Sequence, residues 1–122
     1  MSESQPVSGS SGIERELTAF QQNILAILAE EARYGLAIKR ELEEYYGDEV
    51  NHGRLYPNLD DLVEMGLVEK SELDKRTNQY ALTDAGEEAV LNQLAWVFSR
   101  YITDQDRAER VRSLVDEAAE AA

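Results

Sequence analysis

The 122-residue chain has no cysteine, one histidine (His52) and two prolines. Without thiols there is no disulfide framework and no thiol nucleophile, and a lone histidine cannot complete a Cys/His zinc cage, so no metal site is expected. Long apolar runs are missing as well. The longest uncharged stretch, Leu17 to Ala29, is broken by Gln21, Gln22 and Asn23 and falls short of the roughly 20 apolar residues of a membrane span. The start, Met1-Ser2-Glu3-Ser4, has no basic segment of the signal-peptide kind, so a cytoplasmic protein without a membrane partner is expected. There is also no Gly-rich phosphate loop, no paired carboxylates in an apolar setting and no nucleophile with a base at usable spacing. Neither an enzyme nor a cofactor-binding protein is expected, and no residue is assigned a catalytic role.

Positive charge is scarce. Against 25 acidic residues stand 12 basic ones, a net charge of −13, and only Lys39, Lys70 and Lys75 are lysines. Taken alone, this balance argues against a polyanionic partner. The acids are spread along nearly every element, however, and an acidic, lysine-poor surface suits a cytoplasm with molar salt, where net charge must keep the chain soluble while the Debye length falls to about 3 Å. An acidic protein of an ordinary cell is the plainer alternative.

Residues 1–12 (MSESQPVSGSSG) are rich in serine and glycine, without a hydrophobic period, and read as a disordered arm. From there the periodicity predicts helix, helix, helix, hairpin, helix, helix. Thr18 and Gln21 have capping-box spacing ahead of Phe20, Ile24, Ile27 and Leu28, in a helix ending near Glu31. A second helix runs from about Tyr34 to Tyr46, with Ala37, Ile38, Leu42 and Tyr45 on one side, and Gly47 stops it. Asn51 can cap a third helix carrying Leu55, Leu59, Leu62 and Val63 up to Gly66. Pro57 would then delete a backbone bond to Gly53, so an irregular start, or a regular helix beginning nearer Leu55, is expected.

After Gly66 the period becomes that of a strand through Leu73, then a polar turn over Asp74 to Asn78 and a returning strand, Gln79 to Leu82. Thr83 or Asp84 caps a fourth helix whose apolar face, Val90, Leu91, Leu94, Val97, Phe98 and Tyr101, is wider than a small hairpin can cover. A fifth helix, from about Gln105 to Ala119, repeats Ala108, Val111, Leu114, Val115 and Ala118. The expected fold class is mainly α with a small antiparallel hairpin: a winged helix-turn-helix over residues 13–83, in which the third helix enters the major groove, followed by C-terminal dimerisation helices over residues 84–122.

Four runs carry a family resemblance: Tyr34-Gly35-Leu36, Gly53-Arg54-Leu55-Tyr56-Pro57-Asn58-Leu59, Gly66-Leu67-Val68, and Tyr80-Ala81-Leu82-Thr83-Asp84-Ala85-Gly86. In this order and spacing, from about Leu17 to Tyr101, the chain resembles the PadR-like transcriptional regulators, and its composition is similar to that of haloarchaeal members. The resemblance implies a homodimeric DNA-binding repressor or regulator whose C-terminal helices make the dimer. Two departures accompany it. The wing tip is shorter than in many members, and too few residues follow Tyr101 to form the larger effector domain that some members carry.

The charge map points the same way, since Val50 to Leu59 and Lys75 to Thr83 contain no acid, and both windows fall on the elements that would face phosphates. Double-stranded DNA is therefore the expected partner. Arg54 is the expected base reader, because a guanidinium donates twice to guanine O6 and N7; pairing with Asp60 or Asp61 is the alternative. Asn51 either reads adenine or simply caps the helix. His52 is expected to donate to a phosphate or a base, while Tyr56 either reaches the backbone through its hydroxyl or belongs partly to the core. Lys75, Arg76, Thr77 and Asn78 are expected to hold phosphates or the adjacent minor groove, unless they form only a polar turn. Leu91, Leu94, Val97, Phe98 and Tyr101, with Val111 and Leu114, are assigned to a dimer interface, which accounts for them more cheaply than a ligand pocket around Trp96. Inorganic cations bridging acidic residues to phosphates are a further expectation. A winged-helix module whose acidic surface docks a basic protein is the alternative function. Any stress response must run through Met1, Met65, a partner or bound ions.

Overall fold

Helix α1 (Ala19–Glu30) starts where the sequence places a capping box. The Gln21 amide donates to the Thr18 hydroxyl (3.1 Å), and Gln21 Oε1 accepts from the Thr18 amide (3.1 Å). The computed structural model describes residues 16–74 and 77–122; the arm at 1–12, and Lys75 and Arg76 at the wing tip, lie outside the described residues. Helix α2 (Gly35–Tyr46) ends at Gly47, whose φ of 70° is the left-handed conformation that glycine adopts without strain. Helix α3 (His52–Glu64) is helical from its first residue despite Pro57. Its first turn is closed by the amides of Arg54 and Leu55 on the Asn51 carbonyl (both 3.1 Å), and the Gly53 carbonyl that Pro57 leaves without its donor belongs to an exposed residue. At its other end the Gly66 amide donates to Val63 O and the Leu67 amide to Leu62 O, a Schellman closure around Gly66 at φ 81°.

Strands β2 (Val68–Asp74) and β3 (Thr77–Leu82) form the expected wing, with a shift of register between Glu72 and Asp74 that leaves Leu73 as a bulge. Thr77 and Asn78 thus belong to a paired strand, opposite Asp74 and Glu72, and not to the turn. A third strand, β1 (Arg33–Tyr34), pairs with β3 (Arg33 with Tyr80, Tyr34 with Gln79), giving the order β1-β3-β2. Two residues are too short to show alternation, which is why no periodicity announced this strand.

Described residues up to Asn92 form one compact unit and Gln93–Ala122 a second. In the first, Phe20, Ile24, Leu25 and Leu28 pack with Ile38, Leu42, Leu55, Leu59 and Leu62, under Val68 and Tyr80. Each fully buried leucine contributes about 1.5–3 kcal/mol by leaving water. Tyr45 is 71% exposed and is not part of this core, against the expectation from its spacing. Glu43 joins α2 to the approach of α3 by accepting from Lys39 Nζ (2.6 Å) and the Val50 amide (3.0 Å), and these bonds, Lys39 first, hold its carboxyl below the usual range. In the second unit α4 (Asp84–Tyr101) ends and turns into α5 (Gln105–Ala121), where Asp104 caps by accepting from the Arg107 amide (2.9 Å). No residue of α5 is buried.

The base of the wing is tied by Thr83, which resolves the choice of cap. Its hydroxyl donates to Gly66 O (2.7 Å) and accepts from the Gly86 amide (3.0 Å), while its own amide donates to Leu67 O (3.1 Å). Gly86 is seated so closely that a Cβ would stand 2.2 Å from the Leu67 carbonyl oxygen, a backbone atom that cannot swing aside. Gly86→Ala is expected to lose about 1–3 kcal/mol of stability through this clash, outweighing alanine's helical advantage of about 1 kcal/mol. Gly53→Ala, whose nearest new contact is Asn51 Oδ1 at 3.4 Å, is expected to be neutral or slightly stabilising. Urea unfolding of the pair in molar KCl checks both; equal losses would contradict this account.

Candidate nucleic-acid interface

With Leu55, Leu59 and Leu62 turned inward, the helical period brings Asn51, His52 and Arg54 outward at the start of α3. The opposite end of the exposed face carries Asp60, Asp61 and Glu64, so the part of α3 free of acid is its N-terminal half. Asn51 is the N-cap: its Oδ1 accepts from the Arg54 amide at 2.8 Å. His52 is exposed, and its ring lies parallel to that of Tyr56, within 4° and 5.5 Å between centroids.

Arg54 does not pair with Asp60 or Asp61; among the described residues its guanidinium enters no ion pair. Instead its carbon lies 4.0 Å above the ring centroid of Phe20 on α1 and 5.8 Å from that of Tyr46 on α2. Its backbone carbonyl accepts from Asn58 Nδ2 (2.8 Å), and Asn58 Oδ1 accepts in turn from Gln21 Nε2 (3.1 Å).

Beside α3 lies an open groove of about 440 Å³, lined by Tyr34, Gly35, Leu36, Tyr56, Thr77, Asn78 and Tyr80. It joins the start of α2, the middle of α3 and the returning wing strand, and no lining residue is charged. Tyr34 is the N-cap of α2 and makes no side-chain capping bond. Gly35 makes the groove geometrically possible. A Cβ there would stand 2.7 Å from the Tyr56 hydroxyl and 2.9 Å from Cε1 of its ring. Tyr56 is half-buried, packed on the core while its hydroxyl end faces the groove, so both readings of it apply in part. Tyr80 is 2% exposed. Burial first, then Asp60 and Tyr56, push its phenol above the ordinary tyrosine range, against a hydrogen bond with Asn78, and it remains a neutral O–H at physiological pH.

Of the residues expected at DNA, His52, Arg54 and Tyr56 share α3 with Asn51 as its cap, and Thr77 and Asn78 meet Tyr56 across the groove. Lys75 and Arg76 lie outside the described residues. Sequence reasoning missed Tyr34, Leu36 and Tyr80 as lining residues, and Phe20 as the partner of Arg54. The pair Tyr34-Gly35 was the available signal, because a glycine opening a helix asks what lies against it. Among the described residues no three His, Asp or Glu side chains converge to hold a metal ion, and no helix is long and apolar enough to cross a membrane. The face assigned to dimerisation is uncovered within one chain: Leu91 is 52% exposed, Leu94 44% and Leu114 65%, with Val97, Phe98 and Tyr101 also exposed and Val111 half-buried.

Residues 24–92 match the model of the transcriptional regulator PadR-like family. Among solved structures, hsRosR in the complex designated RosR-S4 is 69% identical, with a TM-score of 0.86 over 88% of this chain and 94% of that one. RosR of H. salinarum in crystals grown from NaBr is likewise 69% identical, with a TM-score of 0.85 over 88% of this chain and 98% of that one. A transcriptional regulator from Clostridium thermocellum, 17% identical with a TM-score of 0.57 over 88% and 95% of the two chains, is similar in fold alone. No curated protein matches the chain significantly.

The contact at Gly35 yields a direct test. Gly35→Ala is expected to lower stability by about 1–2 kcal/mol in the presence of Tyr56 and by clearly less in a Tyr56→Leu background, since the clash is with that ring. Urea titrations of the four proteins in the cycle measure the coupling; strictly additive losses would mean that Tyr56 is not what excludes a side chain at position 35.

Proposed function

Since this chain belongs to the PadR-like family of transcriptional regulators, we propose that it reads double-stranded DNA sequence-specifically as a homodimer, at a pseudo-palindromic operator, in a cytoplasm of molar salt. In this reading residues 13–83 take the DNA and residues 84–122 the second protomer. The first turn of α3 enters the major groove, with Arg54 at a base, His52 at a phosphate or base and Asn51 fixing the helix start. The groove between α2, α3 and β3 takes the adjacent sugar-phosphate backbone, offering the amides that open α2 and the hydroxyl of Tyr56. Lys75, Arg76, Thr77 and Asn78 hold the flanking backbone or the minor groove.

One observation carries the reading. In a chain of net charge −13, the N-terminal half of the exposed α3 face and the whole lining of the groove are free of acid. Repulsion of phosphate is costly only where phosphate comes close, and this is the surface a winged helix presents to it. The uncovered stripe on α4 and α5 supports a dimer, since monomers rarely expose a contiguous apolar face of this kind. The high-salt setting is supported by the scarcity of lysine and by the likeness to RosR of H. salinarum. Cations shared between phosphates and acidic residues flanking the contact surface would replace the counterion release that molar salt weakens.

Selection of bound fragments from random duplex DNA in molar KCl is expected to return a palindrome with half-sites about 10 bp apart or a multiple of it. Affinity for that site is expected to stay flat or rise from about 0.5 to 3 M KCl; a steep fall would remove the cation-bridging part of the proposal. No enrichment at any salt would favour the docking of a basic protein instead.

The roles of single residues separate in binding assays on matched and scrambled duplexes. Lys75→Ala with Arg76→Ala is expected to weaken both alike. Arg54→Ala is expected to lose about 1–3 kcal/mol of discrimination at one base position per half-site, and equal losses on the two duplexes would contradict its role as a base reader.

A further inference from the structure

Helix α1 carries none of the residues assigned to DNA, yet it reaches both ends of Arg54, directly through Phe20 and by way of Asn58. The guanidinium carbon stands 4.0 Å over Phe20 and 5.8 Å from Tyr46, whose rings are 6.1 Å apart and within 18° of parallel. Tyr46 is itself held to α1, because its hydroxyl accepts from Asn23 Nδ2 at 2.9 Å. At the backbone end, Gln21, 6% exposed, donates through Nε2 to Asn58, which donates to the Arg54 carbonyl.

We propose that Phe20 and Tyr46 are positioning residues for base readout: an aromatic platform that orients the Arg54 guanidinium before DNA arrives. The inference rests on Arg54 being the base reader. Stacking occupies a face of the guanidinium, whereas its N–H donors lie in the guanidinium plane, so the platform leaves the fork free for the O6 and N7 acceptors of a guanine. An exposed arginine otherwise samples many rotamers, and a fork already held by an aromatic face loses less freedom when it binds. Phe20 is 4% exposed, so the platform is anchored in the core rather than free to follow the side chain. The effect of an arginine that merely shielded Phe20 would be confined to stability.

The experiment measures base preference at each operator position with a pool of duplexes selected by the wild-type protein, alongside thermal melts and affinity for random duplex. Arg54→Ala is expected to erase a preference of about tenfold at one position per half-site. Phe20→Leu, which keeps an apolar side chain in the core, is expected to lose most of that same preference while binding random duplex within about twofold of wild type; combined with Arg54→Ala it is expected to add no further loss at that position. Tyr46→Leu is expected to act in the same direction and decides the matter if Phe20→Leu does not fold. A lower melting temperature with the base preference intact in Phe20→Leu and Tyr46→Leu, when Arg54→Ala abolishes it, would overturn the platform alone. An intact preference in Arg54→Ala would overturn the reading of Arg54 and the platform with it.

Discussion

The groove beside α3 depends on the missing side chain at position 35. The Tyr56 hydroxyl occupies space that any Cβ at Gly35 would claim, at 2.7 Å. That contact sets the Tyr56 ring of α3 against the first residue of α2, and β1 pairs with β3 just before it. The groove follows from this arrangement: one wall is the opening turn of α2, another is Tyr56, and the third is the strand that bears Thr77, Asn78 and Tyr80. A larger residue would not merely fill a niche. It would push the Tyr56 ring from its place in the groove wall, which in the proposed reading faces the DNA backbone.

The second close approach, Gly86 on Leu67, does the same for the wing. There the neighbour is a carbonyl oxygen, and Thr83 bridges Gly66 and Gly86 through a single hydroxyl. Strand β2 leaves α3, and strand β3 enters α4, through one knot of hydrogen bonds centred on Thr83, so the hairpin is clamped at its base. This explains a feature of the sequence pattern. Much of what carries the family resemblance, such as Tyr34-Gly35, Leu55-Tyr56-Pro57 and Tyr80 to Gly86, is close packing, although Arg54 stands within the same run.

Local chemistry was legible wherever it was complete within a few residues. The capping box of Thr18 and Gln21, the glycine stop at Gly47, the Asn51 cap and the Schellman closure at Gly66 each need only a short segment, and each formed as its residues indicate. Tertiary partnership was not legible. Polar composition made Thr77 and Asn78 resemble a turn, although pairing with β2 makes them strand. Tyr45 follows the helical period of the core yet points to water, because periodicity gives a face and not the extent of what covers it. Arg54 was assigned from charge and spacing alone, while the ring beneath it belongs to a helix distant in sequence. Only the fold could bring the two together, and with them the difference between a solvated arginine and one whose orientation is already set.

The net charge of −13 looks incompatible with a polyanion until its range is considered. At about 1 M salt the Debye length is about 3 Å, so an exposed carboxylate one helix diameter from a phosphate is nearly invisible to it, whereas one in contact is not. Selection against acid then need act only on the residues that touch DNA, and the rest of the surface can satisfy the opposite demand of staying hydrated and apart from its neighbours. The distribution on α3 has this form: its first turns present Asn51, His52 and Arg54, and the acids return at Asp60, Asp61 and Glu64 within the same helix. In dilute salt the screening length would exceed that spacing and the acids would oppose binding. In the proposed reading, an acidic surface and a DNA-reading face therefore share one short helix in a medium salty enough to keep them electrostatically separate.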